Sequence, residues 1–172
     1  MKPMEITLAL GSYDDIFDDF DRQGYIERAI SADLVNELGS RIKKTELKDR
    51  IAISFSMPKE KREKGTEEVI SKRLGAHFAN MSRYWEEKER ETTNFAMFIL
   101  ALGLVFFIVG QRIIDEVAPF FDEYFIIPAW VFTFHGLDKL TIERPKATSR
   151  KQFYEAVNRA KIAFREQDAF SR

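Results

Sequence analysis

The chain has 172 residues, 32% of them charged, and a formal net charge of −1, so it carries no overall field for nucleic acid. There is no cysteine, which excludes disulfides, thiolate metal sites and cysteine nucleophiles. The length suits one ordinary domain, or a smaller one with a membrane segment.

The start, MKPMEITLALGSYDD, has one Lys, a short apolar run and then acids, which is not the pattern of a signal peptide. Met4 to Leu10 alternates loosely before Gly11-Ser12 and predicts a strand. An acidic run follows, with Asp14, Asp15, Asp18, Asp19 and Asp21 interleaved with Ile16, Phe17 and Phe20. Within it, Asp19, Asp21 and Gln23, with Gly24 at the sixth position and Ile26 at the eighth, partly match a calcium-binding EF-hand loop. The twelfth position is Ile30 where that loop needs a bidentate Glu. The alternatives are a solvated acidic turn or a partner-binding edge. The pairs Asp14/Asp18 and Asp15/Asp19 have no nearby His to share acid–base work. No catalytic residue and no cofactor are expected.

Ser31 is a good N-cap for a helix over ADLVNELGSRIKK, with Leu34, Val35, Leu38 and Ile42 on one face. Arg41, Lys43 and Lys44 suit its last turn. RIAISFSM (Arg50 to Met57) alternates and predicts a half-buried strand ended by Pro58. Residues 1–58 thus form a small β-α-β-like cytoplasmic unit, which lacks a sufficient core alone.

Residues 59–91 read as a charged linker and a stalk helix, with Thr66 as N-cap. Its seam is Ile70, Leu74, His77, Met81 and Tyr84, with His77 packed inside. The helix continues from about Glu67 to about Ile114, some ~70 Å, because its upper half is TTNFAMFILALGLVFFIVGQ, residues 92–111. That stretch holds no charge and spans about 30 Å as a helix, the thickness of a bilayer core. Ala96, Gly103 and Gly110 share one face at seven-residue spacing, which allows close helix contact with a second copy or with a second span.

After a loop in which Pro119 opens the next helix, Tyr124 to Leu137 is again uncharged. At 14 residues it suggests a re-entrant or interfacial piece, or a short second span if its flanking charges sit at headgroup level, with Trp130 among its aromatics and His135 near its inner end. Residues 92–140 therefore read as a membrane hairpin, with spans at about 92–114 and 120–140. Lys and Arg flank the hairpin on both outer sides while the connecting loop has only Arg112, which places both termini in the cytoplasm. In residues 141–172, Pro145 ends whatever precedes it. Thr148 or Ser149 then caps a last helix, RKQFYEAVNRAKIAFREQ, that packs antiparallel on the stalk through Phe153, Val157, Ala160 and Phe164.

The segment SYDDIFDDFDRQGYIERAISADLVNEL (residues 12–38), followed by a strand, a charged helix running into an apolar span and IIPAWVFTFHGLDKL, resembles a family of small, uncharacterised prokaryotic two-span membrane proteins. The resemblance implies a membrane topology and brings no ligand or catalytic residue. The expected fold is mainly α with a small α+β N-terminal unit. The expected function is a non-enzymatic, membrane-anchored interaction or scaffold protein of the cytoplasmic membrane, with the bilayer and a protein partner or homo-oligomer as partners. Two alternatives stand beside it. One is a tethered metal-binding or enzymatic module using Asp14–Asp21. The other is a soluble helical oligomer burying residues 95–110.

Overall fold

The computed structural model describes residues 4–42, 50–116 and 122–166. Strand β1 (Met4–Ala9) leads to a 3-10 turn at Tyr13–Ile16, helix α1 (Ala32–Arg41) and strand β2 (Ile51–Met57). Helix α2 (Lys64–Glu116) runs for 53 residues. Helix α3 (Asp122–Asp138), a π-helical turn (Lys139–Glu143), helix α4 (Arg144–Asn158) and strand β3 (Lys161–Glu166) follow. Lys43, Lys44 and Pro119 lie outside the described residues.

The protein is mainly helical with one small parallel sheet in the order β1-β2-β3. Ile6 stands beside Ile53, and Ile53 beside Ile162. Parallel neighbours need crossover connections. Helix α1 lies in the first, and α2, α3 and α4 all lie in the second. Two compact units result. One comprises Met1–Arg83 with Lys151–Arg172, and the other Tyr84–Arg150, so the second is inserted into the first along the chain.

In the first unit, Ile6 and Leu8 of β1, Leu34 and Leu38 of α1, and Ile51, Ile53, Phe55 and Met57 of β2 are buried. The sequence predicts β2 as half-buried, yet Ser54 is buried too. A strand with a neighbour on each side has little open edge. The Ser54 hydroxyl is satisfied by donating to Glu5 Oε1 at 2.9 Å, and Arg165 meets the same oxygen at 2.7 Å.

Three expectations about the C-terminal region are corrected. The last helix ends at Asn158, and residues 161–166 form β3. Ile162 and Phe164 alternate as a strand requires, and the Phe164 ring sits 5.3 Å from that of Phe55. The free edge of β2 offers this short segment a full set of backbone partners, which outweighs its helical spacing. Next, Pro145 does not end a helix. It is the second residue of α4, directly after a π-type turn in which the Arg144 N–H reaches back to Lys139 O. Thr148 and Ser149 are consequently inside α4 rather than at its cap.

The part of α4 in this unit packs as a helix partner should, with Tyr154 6.2 Å from Phe78 of α2 and Val157 buried. The buried ridge on α2 is Ile70, Leu74 and Phe78, at steps of four. His77 is only half-buried and Tyr84 is 53% exposed, so the predicted seam through His77, Met81 and Tyr84 is displaced by one residue.

Candidate functional site

The acidic run is folded by its own carboxylates. Asp15 Oδ2 accepts the N–H groups of Gly11 at 2.6 Å and Ser12 at 3.1 Å, closing a capping box around the Tyr13–Ile16 turn. Asp18 accepts the Phe20 N–H at 2.9 Å, and Asp21 accepts those of Gln23 at 3.0 Å and Ala29 at 2.7 Å. These are turns that Asp side chains make by standing in for backbone. The two amides hold the Asp21 carboxyl below the usual aspartate range. Asp14 pairs with Arg28, and Asp19 is exposed.

Arginines then clamp the loop. Arg28 donates to Asp18 O from Nε at 3.3 Å and Nη2 at 3.1 Å, and its guanidinium lies 5.5 Å over the Phe17 ring. Arg73 of α2 donates to Arg28 O and Glu27 O, each at 3.0 Å. Tyr25 stacks on Phe17 at 5.2 Å, and burial, then the Asp14 charge, push its phenol up. Tyr13 OH accepts the Glu63 N–H at 2.8 Å at the start of α2, and burial raises its pKa as well. Arg62 grips Glu67 at 2.7 and 3.1 Å beside it.

A cleft of about 480 Å³ opens between the Gly24–Glu27 turn and the first turns of α2. Tyr25, Ile26 and Val69 give it apolar walls, Glu27 and Glu63 acidic ones, and Gly24, Gly65 and Thr66 complete it. Ile26 is 71% exposed, and Phe20, in the same loop, is 98% exposed.

The metal candidates do not converge. Asp21 is engaged by backbone amides, Asp19 faces solvent, and Gln23 contributes its N–H to Asp21. Among the described residues no group of three potential ligands is arranged to hold a metal ion. The hollow that Asp15, Asp18 and Asp19 border is completed by Phe17, Phe20, Ser31, Ala32 and Asp33, with no His in its lining.

The second unit holds the other candidate residues. Ala96, Ile99, Gly103 and Gly110 of α2 are buried. A Cβ added at Gly103 would stand 2.9 Å from Thr133 Oγ1 and 3.2 Å from Ala129 O, and one at Gly110 would stand 2.7 Å from Phe125 Cβ. From the other side, a Cβ at Gly136 would meet Leu100 Cγ at 2.6 Å and Ala96 O at 3.2 Å. The small-residue face of α2 is therefore occupied by α3 of the same chain. Phe106 and Phe132 close the seam at 5.4 Å.

Beside this seam the two helices expose apolar surface. Trp130, 58% exposed, stacks on Phe134 at 5.3 Å and borders a groove of about 380 Å³ with Leu100, Gly103, Leu104, Phe107, Ala129 and Thr133. His135 lies exposed on the α3 surface with Ile127, Val131 and Asp138. His77 belongs to the first unit, where burial and Arg73 hold its imidazole below the usual range. At the lower end of α4, Thr148 Oγ1 donates to Glu89 Oε1 at 2.8 Å and Arg150 lies 5.9 Å over Trp85. Among the described residues one helix, over Lys64–Arg112, is long and apolar enough to cross a membrane, with a mean hydropathy of 2.2 in its most apolar stretch.

Sequence reasoning singled out the acids but missed Arg28, which pairs with Asp14, and Arg73, which reaches from α2 to hold the Arg28 and Glu27 carbonyls. In sequence Gly136 reads as a residue that loosens the second span, whereas in the structure it admits Leu100 and the Ala96 carbonyl. Compared with known proteins, the chain matches no family model, no curated protein and no solved structure.

Proposed function

We propose that this is a membrane-anchored interaction protein. The paired helices of residues 92–140 cross the cytoplasmic membrane as a hairpin, and the sheet-bearing unit presents its loop surface to a protein partner in the cytoplasm. The carrying observation is the outward face of the inserted unit. Phe95, Phe98, Phe107, Trp130 and Phe134 are each at least half exposed, around a seam too tight to admit a Cβ. An apolar surface that continuous is unfavourable in water and favourable in lipid. The residue resemblance to small two-span prokaryotic membrane proteins agrees with it. Self-association through Ala96, Gly103 and Gly110 is not part of this reading, since α3 covers that face.

Because the chain has no cysteine, topology is directly testable. The protein is expected to stay in the pellet after a carbonate wash. Arg112→Cys should react with an impermeant maleimide on intact cells, and Glu60→Cys only after lysis. Release by carbonate, or equal labelling of both positions, would overturn the reading and favour a soluble oligomer.

A further inference from the structure

We propose that the inserted hairpin selects a thin bilayer, one built from lipids with short acyl chains. This deepens the membrane reading and rests on it. The sheet requires α3 to cross completely once α2 does. Strand β2 precedes the hairpin and β3 follows it, yet the two pair along their length inside one compact unit. A chain that leaves this unit through a membrane and returns to it crosses an even number of times. Helix α3, at 17 residues, is therefore a full crossing rather than a re-entrant piece.

The seam then fixes how thick that crossing is. Gly110 of α2 lies against Phe125 of α3 near one end, and Gly136 lies against Leu100 and the Ala96 carbonyl near the other. The apolar stretches of the two helices thus stand level rather than staggered. On α2, the exposed Asn94 and Gln111 bound the belt, leaving Phe95 to Gly110, about 24 Å of helix. On α3, Tyr124 to Leu137 gives about 21 Å before the exposed Asp138. The exposed large apolar side chains of the pair, Phe95 to Val109 and Tyr124 to Leu137, fill these bounds. An ordinary bilayer core is about 30 Å thick. A span that is too long can tilt, but tilting only shortens one that is too short, so the lipid beside it must thin. Sliding one helix along the other would break the close approaches at Gly103 and Gly136. Asp138, with its short side chain, cannot snorkel as a lysine does.

The test places the full chain in liposomes that mix dimyristoleoyl phosphatidylcholine with brominated dioleoyl phosphatidylcholine, and follows tryptophan quenching. Trp130 is 58% exposed within the belt. Trp85 precedes Phe95 by about 15 Å of helix, so the brominated chains report on Trp130. The short-chain lipid should be enriched around the hairpin at least about twofold over its share of the mixture. Asn94→Leu with Asp138→Leu replaces two exposed residues that bound the belt, lengthens it at that end and should remove the enrichment. No enrichment around the parent, a preference for the dioleoyl lipid, or unchanged enrichment around the double variant would each overturn the thickness proposal in a chain that resists carbonate. Release by carbonate would instead overturn the membrane reading on which it rests.

Discussion

Single side chains decide whether the loop of residues 12–31 holds its shape. Asp21 accepts two backbone amides, and its carboxyl titrates below the ordinary aspartate value. Its contribution is full above that ordinary value and is lost as pH falls through the lower folded one. Asp21→Ala should therefore lower the hydrogen-exchange protection factors of the Ala29 and Gln23 amides at neutral pH, and protonating the Asp21 carboxyl of the parent should lower the same protection factors, each taken against the intrinsic rate at its own pH. Unchanged protection would contradict this role. His77 has the opposite chemistry with the same pH direction. Burial and Arg73 disfavour its charged form in the fold. The unfolded chain binds the proton more readily, so stability drops as pH falls through the ordinary histidine value. Replacing His77 with Phe should flatten that part of the stability–pH curve, measured by urea denaturation between ~pH 7.5 and ~pH 5.5.

At the scale of elements, the two inserted helices are defined by what cannot be added between them. A Cβ on Gly103 or on Gly136 would stand 3.2 Å from a backbone carbonyl, a contact that no rotamer change relieves. Gly103→Val or Gly136→Val should cost about 1–3 kcal/mol or more, as overpacking does, and lower the melting temperature in detergent. A substitution on the outer face, such as Ile108→Leu, should leave it within error. The π-turn is a second device of this scale. Its i→i+5 bonding accommodates one residue more than an α-turn and lets the chain pass Pro145 without a break. Deleting Thr141, inside it, should be tolerated better than deleting Ser149, which would rotate Arg150 away from Trp85. Equal losses in thermal melts of the two deletions would refute that account.

Across the whole molecule, the sheet-bearing unit is closed by residues more than a hundred positions apart. Strand β3 pairs with β2, Phe164 covers Phe55 and Tyr13, and Arg62 bonds Phe164 O at 3.1 Å. Truncation after Ala160 leaves two parallel strands, too few for independent stability. The expected result is loss of the cooperative melt and rapid proteolysis of residues 1–83, while the inserted helices remain helical in detergent. A cooperative melt in the truncated chain would show β3 to be dispensable.

The sequence by itself determined the elements whose signals are local. Apolar alternation marked β1 and β2, the Ser31 cap and one apolar face marked α1, and a proline-free stretch marked α2 to within three residues of its start. The uncharged block at 92–111 was equally plain, because hydropathy needs no partner to be read. Tertiary structure decided the rest. A six-residue segment with both helical and strand spacing became β3 because only the fold brings the open edge of β2 to it. The face carrying Ala96, Gly103 and Gly110 had two possible occupants, and α3 of the same chain took it. The Asp run suggested metal chemistry by composition, but each carboxylate's role depends on which amide or guanidinium stands opposite. Arg73 comes to that loop from α2, and spacing along one chain carries no trace of such a meeting.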